Sequence, residues 1–251
     1  MKFLRFQTPD REIHTGWINE DRVGLIEGDL FGEYMRRDTA FDLKNVKILE
    51  PVVPSKILCM GRNYAEHARE QDAVIPDVPM LFLKPPSAIL PHNGIIVLPP
   101  QSQQVEHEAE LVVVIGKRGR WIAAEDARGY ILGYTIGNDV TARDLQHRDG
   151  QWTRAKGFDT FSPIGPWIET DLDPADVMIS CKVNAELRQM ASTREMVFTI
   201  PQIIAFASSI MTLEPGDLIF TGTPAGVGPL VSGDGVEVTI EGIGSLVNTV
   251  E

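Results

Sequence analysis

The stretch that most constrains this chain is Val105-Glu106-His107-Glu108-Ala109-Glu110-Leu111-Val112-Val113-Val114-Ile115-Gly116. Its second half is an aliphatic, mostly β-branched run, the pattern of a buried strand. Its first half carries carboxylates at alternate positions. Side chains two apart on a strand share a face, so Glu106, Glu108 and Glu110 are expected to point the same way. Acids at that spacing repel one another and lose water as they enter a buried strand, and a buried charge is costly unless something pairs with it. A hard divalent cation such as Mg²⁺ or Mn²⁺, which prefers carboxylate oxygens, meets that need. The competing reading is a solvated strand edge whose acids face water. Residues elsewhere in the chain have to decide between the two.

Residues 56–60 read as a short buried strand ending at Gly61-Arg62. Asn63 is placed to cap the helix that follows, on which His67 and Glu70, three apart, share a face. A carboxylate beside an imidazole fixes its tautomer and raises its basicity, as a general base requires; a chance pair on a surface helix is the plain alternative. Residues 72–79, with Pro76 and Pro79, read as a loop that could close with this helix as a lid. Lys84 ends the next strand, facing either a site or solvent.

Residues 95–98 read as a short strand, 123–129 as a short helix, and 129–137 as a further buried strand ending at Asn138-Asp139. A carboxylate at a buried strand end, with a capping-type helix start at 141–144, makes Asp139 a candidate third ligand. Arg143 and Gln146 share a face of that helix. Lys156, among small residues and aromatics, is either a desolvated ammonium that would bind an oxyanion strongly or a solvated loop residue. Residues 218–228 read as a buried strand entering a glycine-rich loop. Without GK[ST] this is no phosphate loop, but its N–H groups and Thr223 could meet a substrate carboxylate. Residues 200–211 read as a core helix with Pro201 in its first turn, and 178–190, 236–240 and 245–250 as strands.

Residues 1–52 read as a small β-rich unit, joined through the Pro51–Pro54 connector to a main unit of 53–251. At 251 residues with 43% apolar content the chain has ample material for a core. Its formal net charge of −12 argues against nucleic-acid or anionic-membrane partners and requires a local cation for any anionic substrate. Cys59 and Cys181, far apart and without CxxC spacing, fit buried thiols in a reducing cytoplasm. No apolar run approaches a membrane span, and the first residues hold no apolar signal segment.

Five stretches, in chain order from about residue 50 to the C-terminus, resemble the fumarylacetoacetate hydrolase family, in its branch with a short N-terminal extension. They are Met60-Gly61-Arg62-Asn63-Tyr64-Ala65-Glu66-His67; Glu108-Ala109-Glu110-Leu111; Asn138-Asp139-Val140-Thr141-Ala142-Arg143-Asp144-Leu145-Gln146; Lys156-Gly157-Phe158-Asp159-Thr160-Phe161 with Pro163-Ile164-Gly165-Pro166; and Thr221-Gly222-Thr223-Pro224. The resemblance implies an α+β, mainly β fold, a mixed β-sandwich roll with a small N-terminal β-rich subdomain, assembled as a homodimer. It implies that Glu108, Glu110 and Asp139 hold Mg²⁺ or Mn²⁺, and that His67 and Glu70 form the lid pair that activates water in hydrolytic members. Lys156 would stand beside the metal, with Gln146 and Thr223 contacting substrate. Arg62, Tyr64 and Arg143, within these motifs, and Lys84, at the end of its strand, are further candidate substrate contacts. Glu106 has no place in the ligand set and is expected at the rim or behind it, with His107 facing away.

The activity so implied acts on a 2-oxo or enol acid. The intact His67/Glu70 pair favours hydrolysis of the C–C bond of an acylpyruvate-type substrate. The same site would serve a 2-hydroxyhepta-2,4-diene-1,7-dioate isomerase or 5-oxopent-3-ene-1,2,5-tricarboxylate decarboxylase of aromatic catabolism, or an oxaloacetate decarboxylase or tautomerase. A non-catalytic binding module that keeps a metal for stability is the rival from another class.

Overall fold

The structure is a computed structural model that describes residues 1–251. The chain opens with β1 (Lys2–Gln7), β2 (Ile13–Asn19), β3 (Arg22–Gly28) and β4 (Tyr34–Asp42), an antiparallel meander, and the short β5 (Lys47–Ile48) beside β1. Then β6 (Ile57–Gly61) runs into α1 (Ala65–Glu70), and β7 (Met80–Lys84) returns antiparallel to β6. The two-residue strands β8 (Ile89–Leu90) and β9 (Ile95–Ile96) precede the acidic stretch, which is split into β10 (Val105–His107) and β11 (Ala109–Ile115). Next come β12 (Ile131–Asn138), β13 (Thr141–Ala142), α2 (Arg143–Asp149), α3 (Thr153–Lys156) and β14 (Ser162–Glu169). The chain closes with β15 (Met178–Val183), β16 (Glu186–Ser192), α4 (Ile200–Ile210), β17 (Leu218–Phe220), β18 (Gly228–Pro229), β19 (Gly235–Ile240) and β20 (Gly244–Val250).

The central sheet has the order β4-β3-β2-β1-β14-β12-β11-β17-β6-β7. A five-stranded sheet β16-β15-β19-β20-β9 and a three-stranded one, β13-β10-β18, complete the mainly β architecture. β11 is central because both its faces are covered: Leu111, Val113 and Ile115 enter the larger core, while Val112 and Val114 enter a second one with Ile57, Ile164 and Phe220. This explains the continuous aliphatic run, since a strand buried on both sides needs no polar alternation. The N-terminal meander continues the central sheet, with β1 pairing with β14 through Phe3 and Ile168. No helix is long and apolar enough to cross a membrane. Cys59 and Cys181 are free and buried, and burial pushes the Cys181 thiol up to about 12.

Several local expectations change. The uniform acidic strand is interrupted at Glu108, between two strands of different sheets. Residues 124–130 form a 3₁₀ rather than an α-helix, and the strand expected over 95–98 shrinks to Ile95–Ile96, paired with the C-terminal β20. Asn63 does not cap α1; Tyr64 holds that position with extended backbone and no side-chain cap. The fully buried Asn63 side chain instead donates to Thr221 O (2.7 Å) and Phe198 O (3.1 Å) and accepts from Phe198 N (2.7 Å). Joining three buried segments outweighs a cap that α1 can obtain from water. Thr141 likewise lies in β13, and its hydroxyl donates back to Asp139 O at 2.8 Å rather than capping α2.

Candidate active site

Backbone register gathers the acids. β11 and β12 pair Ala109 with Asn138 and Glu110 with Gly137, and the ladder ends with Asp139 N donating to Glu108 O at 2.8 Å. Glu108, Glu110 and Asp139 thus each offer a carboxylate oxygen within 4.8 Å of the others, and all three are buried. On the other side of β11, the chain leaves β17 through Thr221, whose N–H and hydroxyl both donate to Leu111 O, and turns at Gly222. Gly222 has φ +99°, and a Cβ there would meet Asn63 Cβ at 2.7 Å, so only glycine fits. The turn aims Gly222 N at Glu110 Oε2 (2.7 Å). The loop N–H thus fixes the Glu110 carboxylate.

The charges around this centre do not balance. Arg143 bridges Glu106 Oε2 (2.7 Å) and Glu108 Oε1 (2.6 Å), which ties Glu106 to Glu108 through one guanidinium. Lys156 Nζ lies 2.8 Å from Glu108 and 2.7 Å from Asp139, and Lys84 pairs with Asp139 from the end of β7. Four buried carboxylates therefore share three buried cations, and Glu110 is the acid that no cation touches. Burial, Asp139 and Glu108 together push the Glu110 carboxyl well above its ordinary range. Glu108, despite a burial that acts the other way, is held well below its own by Lys156 and Arg143. Asp139 and Glu108 raise the Lys156 ammonium against its desolvation, so it stays charged. Three convergent buried acids with one uncompensated charge, all hard oxygen donors, fit Mg²⁺ or Mn²⁺.

One cavity of about 350 Å³ collects these groups. Its floor holds the three acids with Lys156, Arg143 and Thr223, and its walls hold Arg62, Gln146 and His67. His67, buried on α1, has Nδ1 3.2 Å from Glu70 Oε2, and Glu70 Oε1 accepts from Gly226 N at 3.0 Å. Glu70 thereby ties α1 to the loop after β17 and leaves His67 Nε2 as the ring nitrogen free to exchange a proton. Gln146 Oε1 accepts from Arg143 at 2.6 Å. Thr223 donates its proton to Ala109 O (2.9 Å) and accepts from Gln189 Nε2 (2.8 Å), so toward the cavity it can only accept.

Two of the expected substrate contacts are placed elsewhere. Lys84 sits behind Asp139, bonded also to Phe161 O at 2.6 Å, and is outside the cavity wall. Its long side chain is buried with Nζ against the Asp139–Val140 and Phe161 segments, where an unpaired ammonium could not remain charged. Tyr64, 1% exposed, is buried at the N-terminal end of α1 and also lies outside the wall. Conversely, Gln71, His147 and Trp152 line the cavity without having been singled out from sequence. Gln71 and His147 lie four residues after His67 and Arg143, a helical spacing that would have placed each on its partner's face. Gln189, which orients both Thr223 and the buried His107 (Nδ1 to Oε1, 3.0 Å), comes from β16 and carries no local signal.

Residues 56–251 match the family described as "Fumarylacetoacetate (FAA) hydrolase C-terminal", and residues 1–51 match "Rv2993c-like, N-terminal". The chain belongs to the fumarylacetoacetate hydrolase family. It is 44% identical over 244 residues, 90% of its length and 78% of the relative's, to the mitochondrial oxaloacetate tautomerase FAHD2B of Bos taurus. It superposes with a TM-score of 0.94 and 44% identity on a 5-carboxymethyl-2-hydroxymuconate delta-isomerase from Mycobacterium smegmatis, covering 100% of this chain and 99% of that one. A maleylpyruvate hydrolase from Sphingobium sp. SYK-6, solved with manganese(II) and pyruvate, matches at 33% identity and a TM-score of 0.83, covering 100% and 98%. Members of the family are enzymes, and these relatives span tautomerase, isomerase and hydrolase.

Proposed function

We propose that this chain is a Mg²⁺- or Mn²⁺-dependent enzyme that moves a proton at C3 of a 2-oxo acid or its enol, with tautomerisation or double-bond isomerisation as the net reaction. The observation that carries this reading is the meeting, in one small cavity, of three buried carboxylates and a carboxylate-oriented histidine. A divalent ion held by Glu108, Glu110 and Asp139 would supply Lewis acidity toward the carboxylate and 2-oxo oxygens of the substrate. Lys156, buried and charged between Glu108 and Asp139, adds positive potential to the floor, where negative charge grows as C3 loses its proton. His67 takes or returns that proton through Nε2, while Glu70 holds its tautomer from Nδ1. Thr223 accepts a hydrogen bond from an enolic or water O–H and so fixes that end of the ligand.

The isomerase and the tautomerase, both at 44% identity, support proton transfer as the net reaction. Hydrolysis of an acylpyruvate-type C–C bond is the second reading, favoured by the intact His67–Glu70 pair, which could equally deprotonate a water, and by the maleylpyruvate hydrolase relative. The deciding measurement offers the enzyme oxaloacetate, acetylpyruvate and 2-hydroxyhepta-2,4-diene-1,7-dioate in D₂O, with Mg²⁺, with Mn²⁺ and with chelator. Proton NMR follows deuterium entry at C3 and bond cleavage separately. Metal-dependent C3 exchange without cleavage supports the first reading and cleavage of acetylpyruvate the second. Inertness toward all three, or indifference to chelator, would remove both.

A further inference from the structure

We infer that Gln189, on β16, is the positioning residue that holds the metal ligand Glu108 and the cavity hydroxyl of Thr223 in one fixed relation. This rests on the metal-dependent reading above and assigns control of its geometry to a residue outside the cavity wall. The Gln189 side chain is fully buried, and both its lone pairs and both its amide protons are used. Oε1 accepts from His107 Nδ1 and from Ala109 N, each at 3.0 Å. Nε2 donates to Thr223 Oγ1 and to Pro224 O, each at 2.8 Å.

Two backbone groups settle which way this amide faces. Ala109 N–H can only donate and Pro224 O can only accept, so Oε1 meets the start of β11 and Nε2 meets the loop after β17. His107 must then carry a proton on Nδ1. Its Nε2 is buried with no hydrogen-bond partner, so the bond to Gln189 is the one polar contact that the ring makes. An apolar ring would fill the same space without leaving a nitrogen unpaired in the interior. What the imidazole adds is the bond at Nδ1.

The placement of the four partners gives the amide its role. His107 is the last residue of β10 and Ala109 the first of β11, and Glu108 between them belongs to neither strand. The two strands lie in different sheets, so no single ladder carries across this ligand. Glu108 N donates to Asn138 Oδ1 at 2.8 Å, and Gln189 holds the residues on both sides of it. Thr223 and Pro224 directly follow Gly222, whose N–H fixes the Glu110 carboxylate. One amide thereby ties the flanks of Glu108 to the loop that holds Glu110 and presents Thr223. The fit of that loop on β16 is close: Gly226 has φ +99°, and a Cβ there would meet Arg188 O at 2.1 Å.

The test measures Mn²⁺ affinity of the full chain by electron paramagnetic resonance, and oxaloacetate affinity by calorimetry on the Mn²⁺-saturated protein. Gln189→Met keeps the length of the side chain and removes its four bonds. It is expected to bind Mn²⁺ about ten- to a hundredfold more weakly, the usual worth of a group that orients a metal ligand from behind. Thr223→Val leaves the flanks of Glu108 tied to Gln189, and should bind Mn²⁺ as wild type does while losing about two- to tenfold in oxaloacetate affinity. In the double variant the oxaloacetate loss should be smaller than the product of the two single losses, because both changes remove one shared contact. A Gln189→Met protein that melts lower but keeps wild-type Mn²⁺ affinity, or losses that simply multiply, reduces Gln189 to packing and overturns the assignment. If Gln189→Met fails to fold, His107→Phe removes one of the four bonds together with the unpaired nitrogen and should weaken Mn²⁺ binding by less; unchanged affinity there also overturns it. In the wild type, ¹⁵N NMR of the imidazoles should find His107 protonated at Nδ1, and a proton on Nε2 alone contradicts the network. A wild-type protein that binds no Mn²⁺ removes the proposed function along with this role, whereas normal wild-type binding with no response to Gln189→Met removes the role alone.

Discussion

At the scale of single residues, Glu110 has the least favourable environment in the metal-free protein. Its carboxylate is fully buried beside two others and receives only the Gly222 N–H. Its folded-state pKa is raised above the ordinary 4.5, so the stability it contributes is fully present below that value and is lost as pH rises through the folded one. Gln at this position keeps an acceptor for Gly222 and never ionises. The melting temperature of metal-free Glu110→Gln, relative to wild type, is therefore expected to be more favourable near about pH 8 than near about pH 5, while the stabilisation by added Mn²⁺ is lost. A pH-independent difference between the two proteins would show that Glu110 does not titrate as its surroundings require. His67→Ala should behave in the opposite way, lowering turnover by about two to four orders of magnitude, the usual worth of a general base, with Mn²⁺ stabilisation unchanged. Loss of both together would make His67 part of the metal centre rather than a base.

At the scale of elements, the site depends on the register between β11 and β12, and Gly137 is where that register is tightest. It stands opposite Glu110, and a Cβ would meet Phe220 and Val112 each at 2.5 Å. Gly137→Ala must displace the Phe220 ring and the Val112 side chain that pack against it, which is expected to cost about 1–3 kcal/mol, or roughly 2–4 °C in melting temperature per kcal/mol for a chain of this size. It should also weaken Mn²⁺ binding, because Val112 shares its strand with Glu110 and Gly137 lies two residues before Asp139. A stable Gly137→Ala with unchanged metal affinity would show that the register is softer than its packing indicates. Much at this scale was legible in the sequence, because aliphatic runs such as 111–115 and alternating ones such as 236–240 carry their period in the residues themselves. The exceptions share one cause. Asn63 and Thr141 looked like caps by local pattern, but tertiary partners claimed their side chains: Thr221 and Phe198 for Asn63, the Asp139 carbonyl for Thr141. Tyr64 was drawn toward the substrate by its motif and Lys84 by its place at a strand end, whereas the fold turned both into its interior. Gln189 could not be found, since its link to Thr223 and His107 exists only after β16 is packed.

At the scale of the molecule, composition suggested a small N-terminal unit beside a larger one, and two family descriptions meet between residues 51 and 56. The physical boundary is weaker than either implies. β1 is hydrogen-bonded to β14, and Met1 Nα reaches Glu169 (2.6 Å) and Asp171 (2.5 Å). Phe3 and Val52 pack in the same core as Val112, Ile164 and Phe220, on the face of β11 that also carries Glu110. Removing the meander would leave β14 with an open edge and expose the second core, conditions that favour association of sheet edges over a folded monomer. The full chain is therefore expected to unfold in one calorimetric transition, with no separate melting of 1–52. A chain beginning at Val53 should be aggregation-prone and bind Mn²⁺ poorly, although Glu108, Glu110 and Asp139 all remain in it. Two resolved transitions, or a well-folded 53–251 with native metal affinity, would show instead that the meander is an appendage. The test bears on function because Ile164 and Phe220, in the same core as Phe3, flank the strands that set the spacing of Glu108, Glu110 and Asp139.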